Sequence, residues 1–177
     1  MNIRQCLQSD SKVICDIYNY YIKHTVITFE EELLTENIIL ERIKSYTSNY
    51  PWLVIENVNG DVVGYAYASK WAERSAYKNT VEITVYLHNE ESGKGYGSAL
   101  YKKILSILSA SGFHVVVAAI ALPNEGSVKL QESFGFTKVA HFKEVGCKFN
   151  SWVDVGYWQI ELNKIAVPNI AAKNNID

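Results

Sequence analysis

VYLHNEESGKGYGSAL, residues Val85–Leu100, carries more structural information than any other stretch of this chain. A strand-like run ends at Leu87, a polar turn follows, and Gly93, Gly95 and Gly97 alternate directly before an amphipathic helix. Glycines at such a junction let the backbone turn tightly and gather consecutive N–H groups around one point. The start of the helix adds unpaired N–H groups and the positive end of its dipole. Together these suit an anionic phosphate or diphosphate. Lys94 either adds a charge beside the turn or stands solvated. A Walker A loop is excluded, because it needs Gly-Lys-Ser/Thr after a four-residue spacer. A dinucleotide fingerprint fits no better: the third glycine comes one residue early, and Val117–Ala121 carries no acid to hold a ribose. A tight turn without a ligand remains an alternative on this segment alone.

On the N-terminal side, Asn2–Leu7 reads as a short strand. After the polar start Ser9–Ser11, Val13, Ile14, Ile17, Tyr18, Tyr21 and Ile22 recur at helical spacing. A second helix is predicted from about Thr35, with Ile39, Leu40 and Ile43 on one side. Trp52–Val58 and Val62–Trp71 flank Asn59–Gly60–Asp61, a strong hairpin signal, and Thr80–Leu87 reads as the next strand, paired with the one before it. Beyond the glycine segment, Leu100, Tyr101, Ile104, Leu105 and Leu108 line one face of a helix that Gly112 ends. Val115–Ala119 does not alternate and is expected to be buried on both faces. A helix over Asn124–Phe134 stops near Gly135, and strands over Thr137–Val145 and Trp152–Leu162 complete the pattern. Hairpins plus one strand–helix–strand unit predict an α+β fold: a central mixed, mostly antiparallel sheet with helices on both faces. Residues 1–163 form one domain, and residues 164–177, without apolar periodicity, are expected to fray.

The composition narrows the function classes. At 177 residues, 48% hydrophobic and 20% charged, the chain suits a single globular domain rather than a disordered one. Seventeen Lys and Arg against nineteen Asp and Glu leave a net charge of −2, so no field exists to drive nucleic-acid binding. The longest apolar run, Val115–Leu122, is eight residues, too short to span a bilayer, and Met1–Gln5 shows no apolar leader. A cytoplasmic protein is expected, without membrane or nucleic-acid partners. Cys6, Cys15 and Cys147 lack paired spacing and read as three buried thiols; His24, His88, His114 and His141 are scattered, so no metal site is expected.

The strand, the loop SGKGYG (Ser92–Gly97) and the following helix resemble the acetyl-CoA motif of the GNAT N-acetyltransferases. The similarity continues through LPNEGS (Leu122–Ser127) and the helix ending SFGF (Ser133–Phe136). It narrows to the phosphinothricin acetyltransferase-like enzymes through YPWLV (Tyr50–Val54), Trp71 with Arg74 and Ala76–Tyr77, Val81–Glu82, TVYL (Thr84–Leu87), GSALY (Gly97–Tyr101) and WVDVGYWQ (Trp152–Gln159). These fall in matching order over Ile3–Leu162. The resemblance implies acetyl-CoA as cosubstrate. Val85, Tyr86 and Leu87 would grip its pantetheine arm, Gly93, Lys94, Gly95, Tyr96, Gly97 and Ser98 its diphosphate, and Asn124 its reactive end. Ser92 stands where the motif commonly has Arg or Gln.

Strand alternation puts Glu82, Thr84 and Tyr86 on one face and Val81, Ile83, Val85 and Leu87 on the other, so one face is expected in the core and the other open. Acetyl transfer to an amine needs a base and a stabiliser for the oxyanion. The resemblance makes Glu82 the base, with Tyr65, Tyr67 and Tyr86 desolvating it, and a main-chain N–H of Thr84–Leu87 the stabiliser. Superfamily members often place a Tyr on the fourth helix to protonate the leaving thiolate; Gln131 stands there, and Phe149 and Val153 occupy positions where related enzymes have histidines. His88 reads as a surface residue at a strand end.

The resemblance also makes Arg74 the carboxylate anchor of an amino-acid substrate, with Phe29, Tyr77 and Thr84 lining its pocket, whereas Arg74 read locally pairs with Glu73 or stands in water. Ala72 replaces a basic residue of some relatives, which weakens preference for a second anion. The expected substrate is a small amino-acid analogue of phosphinothricin, methionine sulfoximine or methionine sulfone type. Other amines (a polyamine, an aminoglycoside, a protein N-terminus) and a non-catalytic CoA-binding module are the alternatives. A homodimer is implied by resemblance.

Overall fold

The computed structural model describes residues 1–162, so the predicted fraying of residues 164–177 lies outside the described residues. The elements run β1 (Asn2–Gln5), α1 (Ser11–His24), α2 (Glu36–Thr47), β2 (Trp52–Glu56), β3 (Val62–Lys70), β4 (Thr80–Leu87), α3 (Tyr96–Ala110), β5 (Val115–Leu122), α4 (Glu125–Ser133), β6 (Thr137–Lys148) and β7 (Ser151–Glu161). Local chemistry sets several boundaries. The first strand stops at Gln5, two residues short of expectation, because the Leu7 N–H donates to Asp10 Oδ2 (2.7 Å) and turns the chain into α1. Thr35 caps α2 by accepting from the Ile38 N–H, and Gly60 (φ +89°) completes the β2–β3 turn.

The seven strands form one sheet in the order β1-β2-β3-β4-β5-β7-β6. All neighbours are antiparallel except β4 and β5, as the strand–helix–strand unit requires. The mixed, mostly antiparallel sheet with helices on both faces is therefore what the sequence predicts. On one face, Leu53, Ala66, Val81, Ile83, Val116 and Ile120 pack against Leu100, Ile104 and Leu108 of α3. On the other, Trp52, Val54, Tyr65 and Tyr86 pack against Ile14 and Ile17 of α1 and Ile39 and Ile43 of α2. No helix of the described residues is long and apolar enough to cross a membrane.

Three expectations need correction. Tyr86 reaches the cleft wall but is largely buried in the second core rather than openly exposed, because α1 packs Tyr18 and Tyr21 against its ring. Ala119 is exposed rather than doubly buried. Its strand pairs with β4 only over Thr80–Glu82 and Val115–Val117, and beyond that point the two diverge. Cys147 is exposed, since it lies on edge strand β6, whereas Cys6 and Cys15 are buried as predicted.

Candidate active site

The divergence of β4 and β5 is the origin of the site. Parallel strands that part after three residue pairs leave the backbone edge of Ile83–Leu87 without a partner on that side. A cleft of about 730 Å³ fills the gap, a size suited to a small-molecule ligand. It runs from Gly93, Gly95, Gly97 and Ser98, between Ile83–Leu87 and Ala119–Ala121, to Tyr18, Thr28, Phe29 and Tyr67. Asn124, Ser127, Leu130 and Gln131 of the α4 segment form a further wall.

At the glycine end, Gly93 (φ +77°) and Gly95 (φ +85°) hold left-handed conformations that other residues adopt only with strain. Gly97 serves differently. It sits in the first turn of α3, and a Cβ there would lie 3.3 Å from Leu130 Cδ2, so its role is close approach of α3 to α4. Gly95 is the N-cap of α3, and no side chain caps the helix. The N–H groups of the first turn thus remain for an anion. Lys94 does not line the cleft; its Nζ pairs with Glu91 at 3.0 Å. Tyr96 packs against the first core instead of the cleft. Asn124 caps α4, its Oδ1 accepting from the Ser127 N–H (3.1 Å), and faces the cleft.

Midway along the cleft, Glu82 is half-buried, flanked in register by Ser69 of β3 and Val117 of β5. Burial pushes its carboxyl above the ordinary range, and among the described residues no cation offsets this. Thr84 lies opposite Tyr67 in register, and both line the cleft with Val85, Tyr86 and Leu87. The Tyr21 hydroxyl donates to the Leu87 carbonyl (2.7 Å), tying α1 to the end of β4.

The far chamber is aromatic. Tyr18 shares a 2.7 Å hydrogen bond with Thr28 and donates to Glu30, which also accepts from Arg42 at 2.8 Å. Phe29 lines the chamber, its ring lying on Gly146 of β6 where a Cβ would clash. The buried Lys148 donates to the Thr28 carbonyl (2.8 Å) and so fixes the same loop. Arg74 and Tyr77 are exposed and do not line the cleft. Glu73 pairs with Lys70 (2.8 Å) instead of Arg74. His88 is exposed at the end of β4 and accepts from the Glu90 N–H, a capping role.

Sequence reasoning did not single out Tyr18, Tyr21 and Thr28 as cleft residues. Their periodicity marks only a helix face, and nothing local shows what that face covers. Gln131 is buried on the α4 wall, Phe149 is exposed and Val153 buried.

Residues 3–156 match the family model for the acetyltransferase (GNAT) domain. A phosphinothricin N-acetyltransferase of Streptomyces viridochromogenes is 40% identical over 95% of this chain and 91% of its own length. An L-methionine sulfoximine/L-methionine sulfone acetyltransferase of Salmonella typhimurium is 35% identical over 96% of this chain and 99% of its own. Among solved structures, the Salmonella typhimurium acetyltransferase yncA, determined with its cofactor acetyl-CoA, superposes with a TM-score of 0.92 at 34% identity, covering 96% of this chain and 98% of that one. With the splayed strands and glycine turn already placed, these likenesses lead to one conclusion: the chain belongs to the GNAT family and is an N-acetyltransferase, close to the phosphinothricin and methionine sulfoximine acetyltransferases.

Proposed function

We propose that this N-acetyltransferase moves an acetyl group from acetyl-CoA to the α-amino group of a small amino-acid analogue, of methionine sulfone, methionine sulfoximine or phosphinothricin type. The observation that carries this reading is the half-buried Glu82, set between a glycine turn suited to a diphosphate and a chamber walled by Tyr18, Tyr67 and Phe29. The coenzyme fits the residues present. Gly93 and Gly95 have open space where a Cβ would stand, and the cleft is lined continuously by residues of both β4 and β5, from the glycine turn to Glu82.

In this reading Glu82 removes the proton of the incoming ammonium, and its raised pKa matches that task. The freed amine attacks the thioester carbonyl, and a main-chain N–H on the unpaired edge of β4 stabilises the oxyanion. The carbon–sulfur bond then breaks as the attacking nitrogen gives its second proton to water, leaving a neutral amide, and the thiolate takes a proton from water, since a thiol with pKa about 8.5 needs little assistance near neutrality. The carboxylate anchor is assigned to Arg74 on the family likeness alone, since its exposed loop stands outside the cleft lining. No Lys or Arg is among the described residues that line the chamber, which favours an uncharged sulfone or sulfoximine over a second anion. Glu82 is the one acid in that lining, and Glu30 is held by Arg42, so the chamber offers little to a polycation.

A thiol-release assay with acetyl-CoA and methionine sulfone, phosphinothricin, spermidine and a short peptide tests the reading. Methionine sulfone is expected to turn over fastest. Faster release with spermidine or the peptide would redirect the assignment to another amine. Release with none of them would point to a coenzyme-binding module.

A further inference from the structure

The α4 wall of the cleft holds a polar group that the proposed reaction leaves unused. Gln131 is 3% exposed, and its Oε1 is buried without a hydrogen-bond partner. Both Gln131 and Tyr101 of α3, also buried, line the cleft. An unpaired buried carbonyl oxygen is costly, and in a binding cleft the economical explanation is a ligand donor that completes it.

The position narrows the donor. Leu130, next to Gln131, lies against Gly97 at the glycine turn. Tyr101 stands four residues beyond Gly97, roughly 6 Å along α3. The pair therefore sits about one helical turn past the diphosphate site, within the passage that leads towards Glu82. If acetyl-CoA occupies the cleft as proposed above, neither its diphosphate nor its thioester carries an N–H. Its pantetheine arm has two amides, each with a donor and an acceptor.

We propose that Gln131 is a coenzyme-binding residue whose Oε1 accepts an amide N–H of the pantetheine arm, while the neighbouring Tyr101 hydroxyl donates to an arm carbonyl. Burial pushes the Tyr101 phenol up, and a hydrogen bond with Gln131 opposes this only in part. Tyr101 thus keeps its proton and serves as a hydrogen-bond donor, not as an acid. Its ring is held by stacking on Phe134 at 5.5 Å. In this position Gln131 grips the arm instead of protonating the thiolate.

The test is calorimetric titration of the protein and two variants with coenzyme A and with 3′-phospho-ADP, which retains the diphosphate but lacks the arm. Gln131→Met, nearly isosteric, is expected to weaken coenzyme A binding about five- to tenfold and 3′-phospho-ADP binding less than about twofold. Its apo Tm should stay within about 3 °C or rise, because an unsatisfied acceptor has been removed. Tyr101→Phe should show the same pattern at about threefold. Equal losses on both ligands, or an unchanged coenzyme A affinity, would overturn the assignment of Gln131. Should Gln131→Met fail to fold, Tyr101→Phe decides, and unchanged coenzyme A binding there overturns the pair. A parent protein that binds neither ligand sinks the coenzyme reading itself, a result distinct from a parent that binds with variants that match it.

Discussion

Glu82 is useful because two opposing conditions hold at one carboxyl. It faces the cleft, and burial makes its ionised form more expensive. Glu82→Gln is expected to leave acetyl-CoA affinity in place and lower turnover by about 10²–10⁴. In the proposed mechanism the active form is the ionised base, so kcat/KM should rise with pH through a limb lying above the ordinary carboxylate range. That limb should vanish in the Gln variant, and near-normal turnover there would remove Glu82 from the role. Arg74 is exposed beside the turn Ser75–Tyr77, and Glu73 is already paired with Lys70. Loss of a charge-assisted hydrogen bond in Arg74→Ala should raise the acceptor KM by about 10–100-fold while acetyl-CoA KM stays near its original value. Steady-state kinetics with each substrate varied in turn checks this, and equal effects on both would contradict carboxylate recognition. The cleft-side position of Glu82 was readable from strand alternation. The burial of Tyr86, four residues on along the same face, was not, because alternation cannot say that α1 and α2 cover one end of that face and leave the other open.

The glycine turn and the start of α3 act as one element. Gly95 supplies a left-handed residue, and its role as N-cap leaves the first-turn N–H groups uncapped by any side chain. A Cβ at this position meets nothing within 4 Å, so Gly95→Ala strains only the backbone. The expected cost is about 1–2 kcal/mol, and a variant that relaxes the turn instead loses the alignment of its N–H groups. Thermal unfolding should shift down by roughly 2–8 °C and acetyl-CoA KM rise about fivefold or more. An unchanged KM would argue that the turn binds no diphosphate. The three glycines were visible as a group in the sequence, but their separate reasons were not. Gly97 is small because Leu130 stands opposite it, a fact of how α4 packs on α3.

At the far end of the sheet, β6 is an edge strand, and exposed apolar residues lie along the β6–β7 hairpin. Val139, Phe142, Val145 and Phe149 are all exposed, and Trp152 is 67% exposed. An apolar edge of this kind invites pairing with another chain, and we propose a second copy as its cover. Sedimentation equilibrium should report a dimer, with Trp152→Glu shifted towards monomer; a parent protein that sediments as a monomer removes the proposal. The same hairpin reaches back to the aromatic chamber, where Gly146 accommodates Phe29 and Lys148 holds Thr28. Residues more than a hundred positions apart in sequence thus share one wall.

By itself the sequence determined the order and type of elements, the tight glycine turn before α3 and the strand that carries Glu82, because each depends on neighbours a few positions away through backbone sterics and side-chain period. Only the tertiary structure decided where β4 and β5 part, which aromatic rings close the chamber, and that Gln131 faces the cleft with an unpaired oxygen. These follow from packing between segments distant in the chain. Pairing of β4 with β5 stops after Glu82 and Val117, and no local pattern of residues in either strand encodes that point.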